Sequence, residues 1–291
     1  MFRNVVVGVD RHGGPDAVAL ATRLLAPDGE LTLAHVYPGR RSVWRGVPAF
    51  EAREREQAFD LLEQVRTGAG VHAAVRWRES VSVGRGLHEL CEMTGADLLV
   101  VGCTRHGPVG RVLVADDTQG SLSGATCAIA VAPAAYREQP VAMREIGVAY
   151  DGSQESVYAV DVARTLAADF GAAVSAFEAV SLPAGMFIGG PAPIDDAIEQ
   201  LLDEAQQQVD ALDGVEAHAV YGDPVQELTL YSASLDLLVV GSRGQGPLGR
   251  LVHGSTSQAL ARTARCPLLV VTATAGVAAG YDAHVHELST A

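Results

Sequence analysis

The chain contains the stretch DLLVVGSRGQGPLGRLVHGSTSQ at residues 236–258 and a related stretch, DLLVVGCTRHGPVGRVLVADDTQ, at residues 97–119. The two align without a gap at an offset of 139 residues, and their first six residues are identical. A short Leu/Val run is typical of a strand buried on both faces, and a Gly-rich polar segment is typical of a loop. The sequence therefore predicts that one strand–loop–helix unit occurs twice.

The repeat extends through both halves of the chain. Each half opens with an apolar strand that ends in aspartate, NVVVGVD at residues 4–10 and EIGVAYD at residues 145–151. In each half five Val- and Leu-rich runs alternate with helical patterns, which favours a parallel sheet covered by helices on both faces. We predict an α/β fold of two tandem five-stranded, parallel, doubly wound sheets with the strand order 3-2-1-4-5.

The domain bounds follow from where the apolar periodicity stops. A proline-containing stretch, PAAYREQPVAMR at residues 133–144, separates the halves. The predicted domains are residues 1–137 and 143–275, followed by a tail at residues 276–291. The apolar fifth strands, AIAVA and PLLVV, offer sheet edges that can pair within the chain, as a pseudo-two-fold pair, or between chains.

Length and charge restrict the class of protein. The 291 residues suffice for two domains of about 140 residues each. No apolar run approaches the roughly 18 to 20 residues of a membrane span. The N-terminus leads straight into a strand-like run without a signal sequence, so a cytoplasmic location is expected. The net charge of −14 argues against nucleic acid as a partner.

Basic residues and cysteines exclude several kinds of site. All 21 basic residues are arginine, so neither a P-loop lysine nor a Schiff-base lysine is available. The four cysteines form no CxxC pair, which argues against a zinc site or a disulfide framework. A bound phosphate must therefore be held by backbone N–H groups, hydroxyls or arginine.

The Gly-rich loop of the second half has the composition of a phosphate site. Gly241 and Gly244 remove Cβ atoms where a polyphosphate must approach the backbone, and Gly254 precedes the start of a helix. Unpaired N–H groups at a helix N-terminus attract anions. The candidate phosphate-binding residues are Gly241, Arg243, Gly244, Gly254, Ser255 and Thr256. Arg243 or Arg250 could supply the positive charge. The alternative, a tight turn in which Ser255 caps its own helix, stays open.

The spacing Gly241-x2-Gly244-x9-Gly254-Ser255 matches the G-2x-G-9x-G-(S/T) motif, and the chain resembles a tandem member of the universal stress protein family, in its ATP-binding branch. The strand-end aspartates, the Asp-Gly-Ser turn at residues 151–153 and the YGDP turn at residues 221–224 support the resemblance. It implies ATP as ligand, with Mg²⁺ left open. It further implies that Asp151 and Gly152 lie at the nucleoside and that Ala179 or Val180 lines the base.

The first copy of the loop departs from this motif. Arg105 stands in place of Gly244, and Ala115 stands in place of Gly254. Asp116 and Asp117 replace the hydroxyl residues, and their charges would repel a phosphate there. We expect the first half to bind ATP weakly or not at all. The alternative, in which Arg105 and Arg111 recruit the phosphates, stays open.

The resemblance implies a regulator of stress or growth that responds to ATP. Neither half contains a recognisable catalytic set. One alternative is a slow ATPase or phosphotransferase, in which His253 within the loop takes part. Another is a structural interaction module with vestigial sites. A homodimer is compatible with all three, and the protein partner is unknown.

Overall fold

The structure is a computed structural model that describes part of the chain. The described residues are 1–10, 14–38, 48–103, 126–138, 142–182, 194–242 and 255–271, and for residues 48–51, 194 and 255 they include the backbone alone. The predicted tail at residues 276–291 lies outside them.

The first half alternates strands and helices as predicted. Its strands are β1 (Phe2–Gly8), β2 (Leu25–Pro38), β3 (Ala74–Ser80), β4 (Leu98–Gly102) and β5 (Ala128–Ala132). Its described helices are α1 (Gly14–Leu24), α2 (Pro48–Ala69) and α3 (Val83–Thr94). The sequence explains the limits of α3, because Ser82 caps its N-terminus and Gly95 takes the left-handed conformation, φ 61°, at its C-terminus.

The second half repeats this order. Its strands are β6 (Glu145–Tyr150), β7 (Ala173–Val180), β8 (Glu216–Tyr221), β9 (Leu237–Gly241) and β10 (Leu268–Val271). Its described helices are α4 (Gln154–Phe170), α5 (Ile194–Asp210), α6 (Pro224–Tyr231) and α7 (Ser255–Thr263). No helix in the described part of the chain is long and apolar enough to cross a membrane.

All ten strands lie in one sheet, in the order β3-β2-β1-β4-β5-β10-β9-β6-β7-β8. Within each half every described pair is parallel and the order is 3-2-1-4-5, so the predicted fold class is confirmed. The halves join through β5 and β10, which pair antiparallel with Ala130 opposite Leu269. The apolar fifth strands therefore pair within the chain, and they make the two predicted sheets continuous.

Helices cover both faces of this sheet, and each face carries one core that runs across both halves. On one face α1 and α4 pack over the sheet, with Leu20 and Leu166 buried among strand residues. On the other face α3, α6 and α7 do so, with Leu90 and Leu260 buried. The Val- and Leu-rich strands are buried on both faces, as their composition predicts.

β2 begins earlier than the sequence pattern indicates. The apolar pattern predicts residues 31–37, whereas the strand starts at Leu25, directly after α1. Leu25 pairs with Phe2, but the next pair joins Asn4 to Glu30, so the residues between form an irregularity in the ladder. Because this stretch is polar, the periodicity of apolar residues does not show where the strand starts.

A buried carboxylate fixes the segment that links the halves. Asp16 on α1 is 7% exposed, and its two oxygens accept hydrogen bonds from the backbone N–H groups of Ala135 and Arg137, each at 3.0 Å. Ala135 has a positive φ of 62°, and the 3₁₀ turn Tyr136–Glu138 follows it. Asp16 therefore holds the start of the linker against the first half.

We predict that Asp16→Ala lowers the free energy of unfolding by about 2 to 3 kcal/mol, because hydrogen bonds to a charged group are lost and two N–H groups lose their partner. Urea denaturation of the full chain measures the change. The matched control is Asp60→Ala at an exposed position of α2, which should stay within about 0.5 kcal/mol of the unsubstituted protein. Equal effects of the two substitutions would contradict the prediction.

Candidate functional site

A cavity of about 350 Å³ opens at the carboxyl ends of β6, β7 and β9. Strand order reverses between β6 and β9, which is where open parallel sheets bind ligands. The volume lies in the range of small-molecule sites, about 300 to 1,000 Å³. Its lining includes Tyr150, Asp151, Glu155, Ala179, Gly241 and Thr256.

Asp151 follows β6 and organises the turn into α4. Its Oδ1 accepts hydrogen bonds from both the backbone N–H (3.1 Å) and the hydroxyl of Ser153. The Ser153 hydroxyl in turn accepts a hydrogen bond from the N–H of Ser156 and caps the helix. Asp151 is exposed to the cavity, so the residue serves the turn and faces a ligand at the same time.

Two of the glycines predicted at the site, Gly241 and Gly152, are also favoured by the packing or the backbone conformation. A Cβ at Gly241 would lie 2.3 Å from the carbonyl oxygen of Glu155, so the end of β9 can pack against the start of α4 with glycine alone. Gly152 has a φ of 70°, which favours glycine, and a Cβ there would meet the side chain of Gln208. The phosphate role of Gly241 stays a prediction beside this packing role.

Ala179 and Val180, the two residues expected at the base, lie at the end of β7 and differ in whether they line the cavity. Ala179 lines the cavity, whereas Val180 pairs with Tyr221 of β8 and is absent from the described lining. Alternation along the strand places these two side chains on opposite faces of the sheet. On the other side of the cavity α7 begins at Ser255, so Thr256 and the buried Ser257 bring the helix N-terminus to the lining.

Several predicted residues lie outside the described part of the chain. In the second half these are Arg243, Gly244, Arg250, His253 and Gly254, and in the first half they are Arg105, Arg111, Ala115, Asp116 and Asp117. Asp151, Gly152, Ala179, Gly241 and Thr256 lie close together at or beside one cavity. That any of these residues binds ATP stays a prediction.

Glu178 is the functional candidate that the sequence analysis missed. It lies on β7 opposite Tyr150, it is 7% exposed, and its Oε2 has no hydrogen-bond partner among the described residues. Burial, and to a lesser degree the charge of Asp151, raise the pKa of Glu178 to about 7. An acidic residue inside a strand expected to be buried, AVSAFEAV, is the sequence signal that marks it.

The described lining is partly apolar, and its charged groups are acidic. It carries the carboxyl groups of Asp151 and Glu155 together with the hydroxyls of Ser153, Thr256 and Ser257, and it includes no arginine. In the ranges that the structure describes, no three His, Cys, Asp or Glu side chains are grouped to hold a metal ion. The chemistry available here is hydrogen bonding to a polar ligand, with helix N–H groups for an anion.

Comparison with known proteins finds a family that matches both halves of the chain. The model of the Universal stress protein family matches the chain twice, over residues 1–133 and 143–272. Two similar relatives are the universal stress proteins Rv2005c and Rv2623 of Mycobacterium tuberculosis. Rv2005c is 26% identical over 283 residues, which cover 91% of this chain and 96% of that protein. Rv2623 is 27% identical over 293 residues, covering 91% and 95%.

A solved structure agrees with these relatives at the level of the fold. The universal stress protein from Archaeoglobus fulgidus superposes with a TM-score of 0.66 and covers 92% of this chain and 98% of its own. Its sequence identity is 16%, so the likeness shows the fold alone.

We predict that Glu178→Gln makes the protein less sensitive to alkaline pH. The carboxyl has a pKa of about 7 in the folded protein against 4.5 in the unfolded chain, so the folded state binds more protons between these values. Its contribution to stability therefore falls as the pH rises through this window. The variant should gain up to about 3 kcal/mol relative to the unsubstituted protein at pH 8, and almost nothing at pH 4.5.

Thermal or urea unfolding between pH 4.5 and 8 measures this difference. Glu56→Gln, at an exposed position of α2, is the control and should shift stability equally at every pH. Parallel curves for Glu178→Gln and the unsubstituted protein would show that the carboxyl ionises as it does in water.

Proposed function

The chain belongs to the universal stress protein family, and from that premise we propose that it binds ATP in the cavity of its second half and acts as a nucleotide-dependent regulator of stress or growth. A cytoplasmic location is part of the same proposal, because the cytoplasm supplies ATP.

The cavity between β6 and β9 is the observation that carries the proposal. It lies where the strand order reverses, and Asp151, Ala179 and Thr256 line it from three different elements. A carboxylate accepts hydrogen bonds from ribose hydroxyls, and a small apolar residue leaves room for a flat base. Asp151 is therefore proposed at the nucleoside and Ala179 at the base.

The phosphates are proposed to lie toward the N-terminus of α7. Helix N–H groups, together with the hydroxyl of Thr256, suit an anion. The described lining contains carboxylates and no arginine, so we expect positive charge to come from Arg243 or Arg250 in the loop or from Mg²⁺ bound with the nucleotide. A bound Mg²⁺ would neutralise part of the phosphate charge.

We propose that the second half alone binds ATP with useful affinity. This rests on the sequence of the loops, because the first copy carries Asp116 and Asp117 where the second carries hydroxyls. A unit charge about 4 Å from a phosphate costs roughly 4 kcal/mol at an effective dielectric constant of about 20, which is near a thousandfold in affinity. The expected stoichiometry is one ATP per chain.

We predict that Asp151→Asn weakens ATP binding by about tenfold or more, since a hydrogen bond to a charged group is worth about 1.5 to 3 kcal/mol. Asparagine keeps an oxygen that can accept from Ser153, so the turn is preserved. Isothermal titration of the full chain with MgATP measures affinity and stoichiometry.

Asp10→Asn is the matched control, because Asp10 ends the corresponding segment of the first half. It should leave MgATP affinity unchanged. If Asp10→Asn reduced the affinity as much as Asp151→Asn, both halves would bind, and the asymmetry would be wrong. Phosphate release that rises with the bound nucleotide would favour the slow ATPase over the regulator.

A further inference from the structure

Glu178 lies on the strand next to the proposed nucleotide site, and one of its carboxyl oxygens has no hydrogen-bond partner among the described residues. It pairs in the sheet with Tyr150 and therefore lies one strand away from the residue that precedes Asp151. Its side chain is almost fully buried, and Oε2 accepts no hydrogen bond from any described residue. A carboxyl group in such a position is retained at a cost in stability, because burial disfavours its charged form.

In the first half, the residue at the position that corresponds to Glu178 has a hydrogen-bond partner. Gly8 pairs with Ala34 as Ala149 pairs with Phe177, so His35 corresponds to Glu178. The Nδ1 of His35 lies 2.7 Å from the carbonyl oxygen of Val9 and donates to it. The ring nitrogen of His35 is thus hydrogen-bonded within its own sheet. In the second half, Oε2 of Glu178 has no hydrogen-bond partner among the described residues.

The groups that face Glu178 add negative charge and no positive charge within the described residues. From β6 they are Tyr150 and Asp151, and the Asp151 charge acts on the Glu178 carboxyl. β8 contributes Ala219 as the neighbouring strand residue. At the start of α4, Glu155 lines the cavity, and Tyr158 is half-buried further along.

Two further helices that pack on β7, α5 and α6, do not change the charge around Glu178 within the described residues. The acidic residues of α5 are all exposed: Asp195, Asp196, Glu199, Asp203, Glu204 and Asp210. α6, with Glu227 and Tyr231, lies on the opposite face, where Tyr231 stacks on Phe177.

We propose that Glu178 is a proton-binding positioning residue of the second-half site, and that the protein takes up a proton there when a phosphate-bearing nucleotide binds. The inference rests on the proposed function. Glu178 is absent from the described lining of the cavity, so it acts through Asp151 and Tyr150, which do line it. With Glu178 neutral, Asp151 is the one charged group at the paired ends of β6 and β7 among the described residues.

The direction of the linkage follows from the sign of the ligand. Nucleotide phosphates add negative charge to a cavity whose Asp151 already acts on the Glu178 carboxyl, so they favour the neutral form of that carboxyl. The pKa of Glu178 is about 7 in the unliganded protein and rises when the phosphates arrive. Affinity therefore increases as the pH falls from 8 to 6, by about three- to tenfold for a rise in pKa of about one unit.

Titration of the full chain with MgATP at pH 6, 7 and 8 tests the proposal. Repeating it at pH 7.5 in buffers with different ionisation enthalpies counts the protons taken up. The unsubstituted protein should take up about half a proton more than Glu178→Gln. The ionisation of MgATP itself is common to both proteins and cancels in the difference.

Glutamine imitates the protonated carboxyl, so Glu178→Gln should bind MgATP at pH 8 about as tightly as the unsubstituted protein does at pH 6. Adenosine, which has no phosphate, should bring no difference in proton uptake. Equal proton counts with MgATP, or weaker binding by the variant at every pH, would overturn the role of Glu178 and leave ATP binding intact. Failure of both proteins to bind MgATP at any pH would remove the proposed function and this inference together.

Carbon-detected NMR of the unsubstituted protein gives a result that does not depend on how the variant folds. With ¹³C-labelled glutamate, the carboxyl signal of Glu178 should titrate near pH 7 and move to a higher pH when MgATP is added. A signal that keeps the same midpoint with and without MgATP would contradict the proposal.

Discussion

The antiparallel pairing of β5 with β10 is the constraint on which the rest of the structure depends. Three residue pairs, centred on Ala130 and Leu269, turn two five-stranded sheets into one of ten strands. Every residue of β5 and β10 is buried, so the pairing removes two apolar edges from solvent. It also lets each core run across both halves, which ties the packing of each half to the other.

Much of the fold is predictable from the sequence, because duplication and buried strands leave strong local signals. The identical DLLVVG runs become β4 and β9, and the strand-end aspartates follow β1 and β6. The predicted start of β2 was wrong, because the polar residues between its first two pairs with β1 leave no periodic pattern of apolar residues. The match of the family model to both halves rests on the same long-range repetition.

The candidate site was predictable in part. Asp151 and Ala179 have sequence signals at strand ends, whereas the contact of Gly241 with Glu155 depends on how β9 meets α4 in space. The same holds for Glu178, because the lack of a hydrogen-bond partner for its Oε2 among the described residues depends on how β6, β7 and β8 pack. Sequence indicates which residue types are present at an edge, and packing decides which of them are satisfied.

The covalent link between the halves changes what each copy is free to become. In a symmetric homodimer one gene specifies both subunits, so a substitution that alters one site alters the other as well. Here the two copies meet at β5 and β10 at a high effective concentration set by the linker that Asp16 holds. Each copy can then diverge while its partner stays present in a fixed ratio. His35 and Glu178, which share one position in the two copies, are an instance of that divergence.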